Sequence, residues 1–308
     1  GSHALQNLYP VLQYLGIRLK YICCKSPDKL ALIERRFGVN ATTSLDTILN
    51  DSEVKGIFVC TSPQSHYEIC SRVIASGKYL FVEKPPCQTL EQLEYLIAAD
   101  KQQVAMVGMQ KRYSPIIWTL KKQLAKSKPI NYTLSYHTGL YPEGNPLTDL
   151  FIHPVDLVLY LFGNAELKSV QQIDRNGTMT IQGLISHGTT KGYIELSTAY
   201  SWTNPKETLY VNTQAGEYRL EQMERLCYYP HPKRIAGIPL EKLGLFTNAE
   251  QTLIERNNFN PLAANNQLYT QGFLSEIRAF ADMVELSGEN RSPLSSMDAT
   301  YKLLLSLK

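Results

Sequence analysis

The sequence predicts a parallel α/β domain followed by an α+β domain with an open, mostly antiparallel sheet. Over the first hundred residues, apolar runs of strand length alternate with helical patterns, which indicates right-handed βαβ units. After about residue 115, strand candidates are separated by Gly, Asn and Pro turns, which is typical of antiparallel neighbours. We therefore predict two domains, residues 1–115 and residues 116–308, and a chain of 308 residues is long enough for both.

The elements of the first domain follow from periodicity and from helix start and stop signals. Ser26, Pro27 and Gly38 mark the N-cap, the first position and the end of one helix, and Thr89 starts another. In chain order the predicted elements are a helix over 3–15, a strand over 17–24, helices over 26–38 and 43–51, a strand over 54–62, a helix over 65–77, a strand over 79–82, a helix from Thr89 and a strand over 103–110.

The second domain is predicted mainly from strand patterns bounded by turn residues. A helix over 151–163 interrupts them, and another long helical pattern begins near Gln271. Residues 230–268 have no clear pattern and are expected to be partly irregular. The strand candidates are 130–139, 169–177, 178–188, 191–202, 207–216 and 218–224.

Composition excludes several classes of partner. The net charge of +3 is too small to indicate a nucleic acid or an acidic membrane surface, and no apolar run approaches the roughly 20 residues of a membrane span. The six cysteines lack metal-type spacing and mostly lie in apolar segments, so we expect reduced thiols and a cytoplasmic protein.

The first polar segment follows the predicted strand 54–62. Thr61, Ser62 and Pro63 end this strand, and His66 begins the next helix. One interpretation is an ordinary helix start capped by Ser65. The other places this turn beside a dinucleotide, because ligands of open α/β sheets bind at the carboxyl ends of the strands.

The second polar segment is Glu83-Lys84-Pro85, which ends the apolar run 79–82. An exposed ion pair before a turn is the simple interpretation. Pro85 restricts Lys84 to an extended backbone, however, and a lysine held at a pocket can polarise a hydroxyl or a carbonyl through its charge.

The third polar segment contains Asp149, His153 and Asp156, spaced by four and three residues. On one continuous helix they would share a face, although Pro154 belongs in a first turn, which would put Asp149 just upstream. A lone histidine there could be a satisfied core residue, whereas one with nearby carboxylates is a good general base. The trio could also ligate a metal, but no fourth ligand is apparent, and we predict none.

Together these segments resemble a known family. The motifs "VCTSPQSHYEIC", "GKYLFVEKPPCQTLEQL", "MVGMQKRYSP" and "DLFIHPVDLVLYLFG", in this order, are similar to those of the Gfo/Idh/MocA NAD(P)-dependent oxidoreductases. The closing segment from Phe273 is also of the family's type. The resemblance implies a Rossmann domain, an open-sheet domain, and oxidation of a sugar or cyclitol hydroxyl or the reverse reduction.

The resemblance also implies roles for individual residues. Lys84 would be the catalytic lysine, Asp149 and His153 the catalytic pair, and His153 the proton acceptor. Asp156 would anchor structure or substrate. The implied coenzyme-binding residues are Ser2, His3, Lys25, Ser26, Thr61, Ser62, Pro63, His66, Glu83, Lys84 and Pro85. The implied substrate-binding residues are Lys84, Arg112, Tyr113, Asp149, His153 and Asp156.

The sequence departs from the family pattern at two places. The strand and the G-x-G-x-x-G/A phosphate loop that open the family's chains are not complete here. One interpretation takes Gly1 as the middle glycine and Ala4 as the last position of the loop, and the other takes Gly1-Ser2-His3 as derived from cloning. We expect that an upstream piece of the natural protein is missing. The strand over 17–24 ends in Lys25 and Ser26 rather than in an acid, which favours NADP over NAD.

Two further expectations concern function and assembly. The competing interpretation is a non-catalytic sugar- or nucleotide-binding regulator that keeps the oxidoreductase fold; the incomplete glycine loop favours it, and the presence of Lys84, Asp149 and His153 together favours the enzyme. The open sheet exposes one face, and because a large apolar patch normally marks an interface, we expect a homodimer or homotetramer packed sheet to sheet.

Overall fold

A computed structural model describes residues 3–244, 249–257, 259 and 265–308. The chain forms two compact units, Gly1–Met109 with Phe273–Asp298, and Gln110–Gly272 with Ala299–Lys308. The predicted single boundary between residues 115 and 116 differs from this division at both ends of the second unit. The fold class itself, a parallel α/β unit and a unit with a mostly antiparallel sheet, is confirmed.

The helices and strands are numbered in chain order. The helices are α1 Tyr9–Tyr14, α2 Leu30–Phe37, α3 Leu45–Leu49, α4 His66–Ala75, α5 Leu90–Ala99, α6 Pro115–Lys126, α7 Pro146–Asp149, α8 Ile152–Phe162, α9 Gln267–Thr270, α10 Phe273–Leu286 and α11 Met297–Ser306. The strands are β1 Tyr21–Cys23, β2 Asn40–Thr42, β3 Gly56–Val59, β4 Tyr79–Val82, β5 Ala105–Val107, β6 Pro129–His137, β7 Glu166–Arg175, β8 Thr178–His187, β9 Thr190–Ser197, β10 Lys206–Thr213, β11 Gly216–Glu221, β12 Arg225–Pro230, β13 Arg234–Ile235, β14 Ile238–Pro239 and β15 Gln251–Glu255.

The first unit contains two parallel sheets. Strands β1 and β2 pair with each other, and β3, β4 and β5 form a three-stranded sheet with β4 in the centre. Leu80, Phe81 and Val82 of β4 have no exposed surface, as expected for a strand covered on both faces. The predicted alternation of strands and helices is thus confirmed.

The C-terminal segment 273–298 belongs to the first unit because it completes that unit's core. The ring of Phe280 on α10 lies 4.9 Å from the ring of Phe58 and 5.7 Å from that of Phe81. Ser292 exchanges hydrogen bonds with Val107 at the end of β5, through its backbone oxygen at 2.8 Å and its hydroxyl at 2.7 Å. These long-range contacts explain why a single chain boundary does not describe the units.

The second unit is built on an eight-stranded sheet in the order β15-β12-β11-β10-β6-β9-β8-β7. Only β6 and β9 pair in parallel among these strands; the other neighbours are antiparallel. Strands β12 and β15, at one edge, were not predicted. Strand β15 and the short pair β13–β14 fall within 230–268, of which residues 245–248, 258 and 260–264 lie outside the described residues.

Helix α8 packs against one face of this sheet. Leu157 and Val158 are completely buried, and the ring of Phe162 stacks on that of Tyr132 of β6 at 4.3 Å. Phe151, which precedes α8, lies with its ring 6.3 Å from that of Tyr136 of β6. Of the helices that the structure describes, none is both long enough and apolar enough to cross a bilayer.

The opposite face of the sheet carries polar, charged and aromatic side chains. A row of paired residues on this face contains Tyr193, Thr133, Tyr210 and Arg219. Beside this row, the Glu195 carboxylate contacts His137 at 2.8 Å, Gln182 at 3.1 Å and Tyr193 at 3.3 Å. Exposed Leu184 and Ile173 lie on the same face, so tyrosines and charged groups are mixed there with apolar side chains, and the expected interface stays a prediction.

Candidate functional site

Hydroxyl groups and a lysine lie at one edge of the first unit. Thr61 and Ser62 follow β3, and Lys84 follows β4. These strands are parallel neighbours, so their carboxyl ends meet at the same edge, where open α/β sheets bind ligands. The Ser65 hydroxyl donates to Thr61 Oγ1 at 3.0 Å and to Ser62 O at 2.9 Å, so it braces the turn instead of capping the helix.

His66 connects the two turns of this edge. Its ring is 1% exposed, and its Nδ1 lies 2.7 Å from the backbone oxygen of Pro85 while its Nε2 lies 3.0 Å from that of Thr61. Because both ring nitrogens face protein carbonyls, the side chain has no polar atom left for a coenzyme. His66 thus contacts the backbone on both sides of the edge, next to Lys84, and its expected coenzyme contact stays a prediction.

Glu83 and His3 contact each other, which the sequence did not suggest. Glu83 Oε1 lies 3.2 Å from His3 Nε2, and the His3 ring lies 5.7 Å from that of Phe273. Glu83 is nearly buried, whereas Lys84 is partly exposed. The Lys84–Pro85 peptide bond is cis. The predicted contact residue Ser2 lies outside the described residues.

Lys25 and Ser26 lie where they were predicted, immediately after β1. Lys25 is exposed and Ser26 is partly exposed, and Ser26 precedes the helical turn Pro27–Lys29 that leads into α2. Asp28 lies within this turn, as expected for an acid at the positive end of a helix. A cation and a hydroxyl are thus presented at this strand end.

Asp149 and His153 lie on two successive helices of the second unit. Helix α7 ends at Asp149 and α8 begins at Ile152, so Asp149 is just upstream of the helix that carries His153, as Pro154 had suggested. Asp149 accepts hydrogen bonds from the Asn145 N–H at 3.0 Å and from the Thr148 hydroxyl at 3.1 Å. These two donors hold the Asp149 carboxylate in place.

Arg112, expected to contact substrate, and Asp156, expected to anchor structure or substrate, form an ion pair with each other. Arg112 Nε donates to Asp156 Oδ2 at 2.8 Å and its terminal nitrogen donates to Oδ1 at 2.5 Å, while the Thr300 hydroxyl donates to the same Oδ1 at 3.0 Å. The two charged side chains are only 5% and 3% exposed. Their charges are neutralised within the protein, so the arrangement supports a structural role.

The neighbours of Arg112 are buried in the same way. Tyr113 is 3% exposed, which leaves its ring almost no surface for a substrate. Lys111 forms a buried ion pair with Glu207 of β10 and lies 5.2 Å from the centre of the Tyr136 ring. The segment 110–113 therefore anchors the start of α6 to the sheet.

Tyr141 is a neighbour of Asp149 that the sequence did not reveal. Burial, the charges of Asp149 and Glu143, and a hydrogen bond to Asp149 all raise the pKa of the Tyr141 phenol. The sequence signal that could have indicated this contact is the run of turn residues from Gly139 to Pro146, which connects β6 to α7. No group of three potential metal ligands occurs among the described residues.

The two units define a class of fold, a Rossmann-type unit and an open-sheet unit, and comparison with known proteins shows which family the first of these units resembles. Residues 3–111 match the family model described as "Oxidoreductase family, NAD-binding Rossmann fold", GFO_IDH_MocA. The resemblance seen in the sequence is thereby confirmed over residues 3–111, which are similar to that family.

Individual proteins are similar over different shares of the chain. An uncharacterized oxidoreductase, YhhX of Escherichia coli, is 26% identical over 207 residues, which cover 60% of this chain and 59% of that protein. The scyllo-inositol 2-dehydrogenase (NAD(+)) of Bacillus subtilis is 27% identical over 308 residues, covering 92% and 83%. The chain thus spans little more than half of the first of these relatives.

The fold extends over the whole chain in a solved structure. A dehydrogenase from Chromobacterium violaceum superposes with a TM-score of 0.83, covering 100% of this chain and 92% of that one at 17% identity. At this identity the similarity establishes the fold of both units and nothing about the substrate.

Proposed function

We propose that the protein is an NAD(P)-dependent oxidoreductase that transfers a hydride between the nicotinamide and a hydroxyl- or ketone-bearing carbon of a sugar, cyclitol or sugar derivative. The observation that carries this proposal is the position of Lys84, at the carboxyl edge of β4 within the region that matches the oxidoreductase family. The similarity to an inositol dehydrogenase over most of the chain supports the substrate class.

The chemistry of the first unit's edge fits a dinucleotide. Thr61 and Ser62 offer hydroxyls for ribose or phosphate oxygens, and Lys84 offers a positive charge. We propose NADP as the preferred coenzyme, because Lys25 and Ser26 suit a 2′-phosphate better than two ribose hydroxyls. When bound, the coenzyme accepts the hydride in the oxidative direction and supplies it in the reverse direction.

We assign the proton transfer to His153 of the second unit. In the oxidative direction, the imidazole of His153 takes the proton from the reacting hydroxyl as the carbon–oxygen double bond forms. The Lys84 ammonium stabilises the negative charge that develops on that oxygen. Asp149, whose carboxylate accepts hydrogen bonds from the Asn145 N–H and the Thr148 hydroxyl, supplies the second polar group of the catalytic pair.

The first experiment is a fluorescence titration with NADPH and NADH, because it tests the coenzyme without a known substrate. Tight binding of NADPH, weakened by Lys25→Ala more than NADH binding is, supports the proposal. Failure of both coenzymes to bind would favour the non-catalytic regulator instead.

Turnover tests the catalytic residues. Lys84→Met should lower kcat by about 10²-fold or more with little change in coenzyme affinity, because it removes charge stabilisation that is needed only during the reaction. Lys101→Met, at an exposed lysine of the same unit, is the matched control. His153→Ala should lower turnover about 10²-fold or more and flatten its pH profile near neutrality. Wild-type rates in both variants would contradict the assignment.

We also propose that the protein is a homodimer or homotetramer that associates through the uncovered face of its eight-stranded sheet. The tyrosines of this face support the proposal, since tyrosine is enriched at interfaces. Light scattering at micromolar concentration should show a dimer or tetramer, and Tyr193→Glu should shift it towards the monomer.

A further inference from the structure

The loop between β6 and α7 is pressed against two side chains, with a glycine at each contact. A Cβ atom on Gly139 would lie 2.3 Å from Trp202 Cδ1, and one on Gly144 would lie 2.2 Å from Asp149 Oδ2. Real Cβ atoms do not approach other atoms so closely, so only glycine permits both contacts. The loop therefore holds the indole of Trp202 at one end and the carboxylate of Asp149 at the other.

Tyr141 bridges these two ends. The centre of its ring lies 6.1 Å from that of Trp202, at an interplanar angle of 51°. A Cβ atom on Gly144 would also lie 2.8 Å from the Tyr141 ring. The Tyr141 phenol forms a hydrogen bond with the Asp149 carboxylate. Trp202 is fixed in turn by a hydrogen bond of 2.6 Å from its Nε1 to Leu140 O.

These aromatic side chains remain in contact with solvent. Trp202 is 50% exposed, Leu140 is also exposed, and Tyr141 is partly exposed. The indole of Trp202 is held through its N–H, and half of its surface remains exposed. It therefore forms an ordered apolar surface. Ordered apolar surfaces beside convergent polar groups are typical of small-molecule sites.

We propose that Tyr141 and Trp202 form an aromatic subsite beside Asp149, against which the C–H-rich face of a sugar-type ring packs while its hydroxyls reach the carboxylate. The inference rests on the proposed function, because that function makes Asp149 part of the substrate site. The inference adds to the proposed function a surface for substrate specificity, which is formed by the β6–α7 loop and the β9–β10 connection. An extended apolar ligand would not need the carboxylate, and a small acid would not need the rings, so a polyhydroxylated ring fits both.

Tryptophan fluorescence tests the subsite directly. The chain has two tryptophans, so Trp118→Phe leaves Trp202 as the sole indole. We would titrate this variant with scyllo-inositol, D-glucose and UDP-N-acetylglucosamine at saturating coenzyme. At least one probe should change the Trp202 emission saturably; no saturable change with any of the three would overturn the proposal.

Calorimetry with the responding probe measures what each ring contributes. Trp202→Ala and Tyr141→Ala should each weaken binding about tenfold, whereas Tyr141→Phe, which keeps the ring, should weaken it less than about threefold. Trp118→Ala is the matched control, since Trp118 is 47% exposed and lies on α6 of the same unit. Trp202→Phe shows whether a loss in Trp202→Ala reflects the ring or a disturbed loop, and only recovery in Trp202→Phe supports the subsite.

Two results separate this inference from the proposed function. Saturable binding of a probe at Trp202 without any turnover would contradict the proposed function and leave the subsite standing. Turnover with unchanged affinity in Trp202→Ala would overturn the subsite alone. If Trp202→Ala instead changes the oligomeric state with unchanged affinity, the aromatic surface is a contact between copies and the proposal is wrong.

Discussion

Replacing Asp156 with leucine should destabilise the second unit by several kcal/mol without acting on the chemistry. The substitution leaves the Arg112 guanidinium, 5% exposed, without the carboxylate that accepts its bonds at 2.8 Å and 2.5 Å. Removing one partner of a buried ion pair typically costs about 3–5 kcal/mol, because the remaining charge stays desolvated and uncompensated. The loss of the Thr300 hydrogen bond adds about 1 kcal/mol.

The double variant Arg112→Met/Asp156→Leu provides the decisive comparison. Replacing a buried ion pair by apolar side chains of similar volume is often neutral, so the double variant should recover most of the stability lost in either single variant. Thr300→Val, which removes one hydrogen bond to Asp156 and keeps the ion pair, should cost only about 1 kcal/mol.

Urea unfolding followed by tryptophan fluorescence is the appropriate assay, since Trp118 and Trp202 both lie in the second unit. The reasoning fails if the free energy of unfolding of Asp156→Leu stays within about 0.5 kcal/mol of that of wild type. It also fails if the double variant is as unstable as the single variants. A selective rise in the KM for substrate at unchanged stability would restore the original assignment of Arg112 and Asp156 to substrate binding.

Two further predictions concern histidines. His66→Ala removes the ring that contacts the Pro85 and Thr61 carbonyls, which should cost about 1–3 kcal/mol and lower both stability and turnover, with His66→Gln recovering part of each; unchanged turnover in His66→Ala would show that the Pro85 contact does not position Lys84. Burial lowers the pKa of His187, whose Nδ1 contacts Gly163 O and whose Nε2 contacts the Tyr132 hydroxyl, so its native ring binds fewer protons than the unfolded ring. Its contribution to stability is therefore present above the ordinary pKa of 6.5 and is lost as the pH falls below it, and the urea midpoint should drop more steeply between about pH 7 and pH 5 in wild type than in His187→Gln.

Much of the fold could be predicted because local signals and tertiary packing agree. Gly38 ends α2 in a left-handed conformation, Thr89 caps α5 through a hydrogen bond from Gln92 N, and the buried run Tyr79–Val82 is the central strand. Pro154 correctly indicated that Asp149 precedes the helix of His153. In each case a residue's own backbone preference decides the structure, so the sequence carries the information.

The remaining features depend on partners far away along the chain. Glu207 lies 96 residues from Lys111, and Thr300 lies 144 residues from Asp156. Ser292 reaches Val107 across 185 residues. Nothing in the local pattern of any of these residues identifies its partner, so neither the division into units nor the buried ion pairs could be predicted.

The same limit applies to the candidate site. A short polar motif does not separate a side chain that meets a ligand from one that holds the backbone behind it. The hydrogen-bonding capacity of each side chain makes that separation in the structure. His66 has two ring nitrogens, and both contact protein carbonyls. Arg112 directs Nε and a terminal nitrogen to Asp156. Substitutions at these positions should therefore act on activity only through stability or position, whereas those at Lys84 and His153 should act on the reaction at unchanged stability.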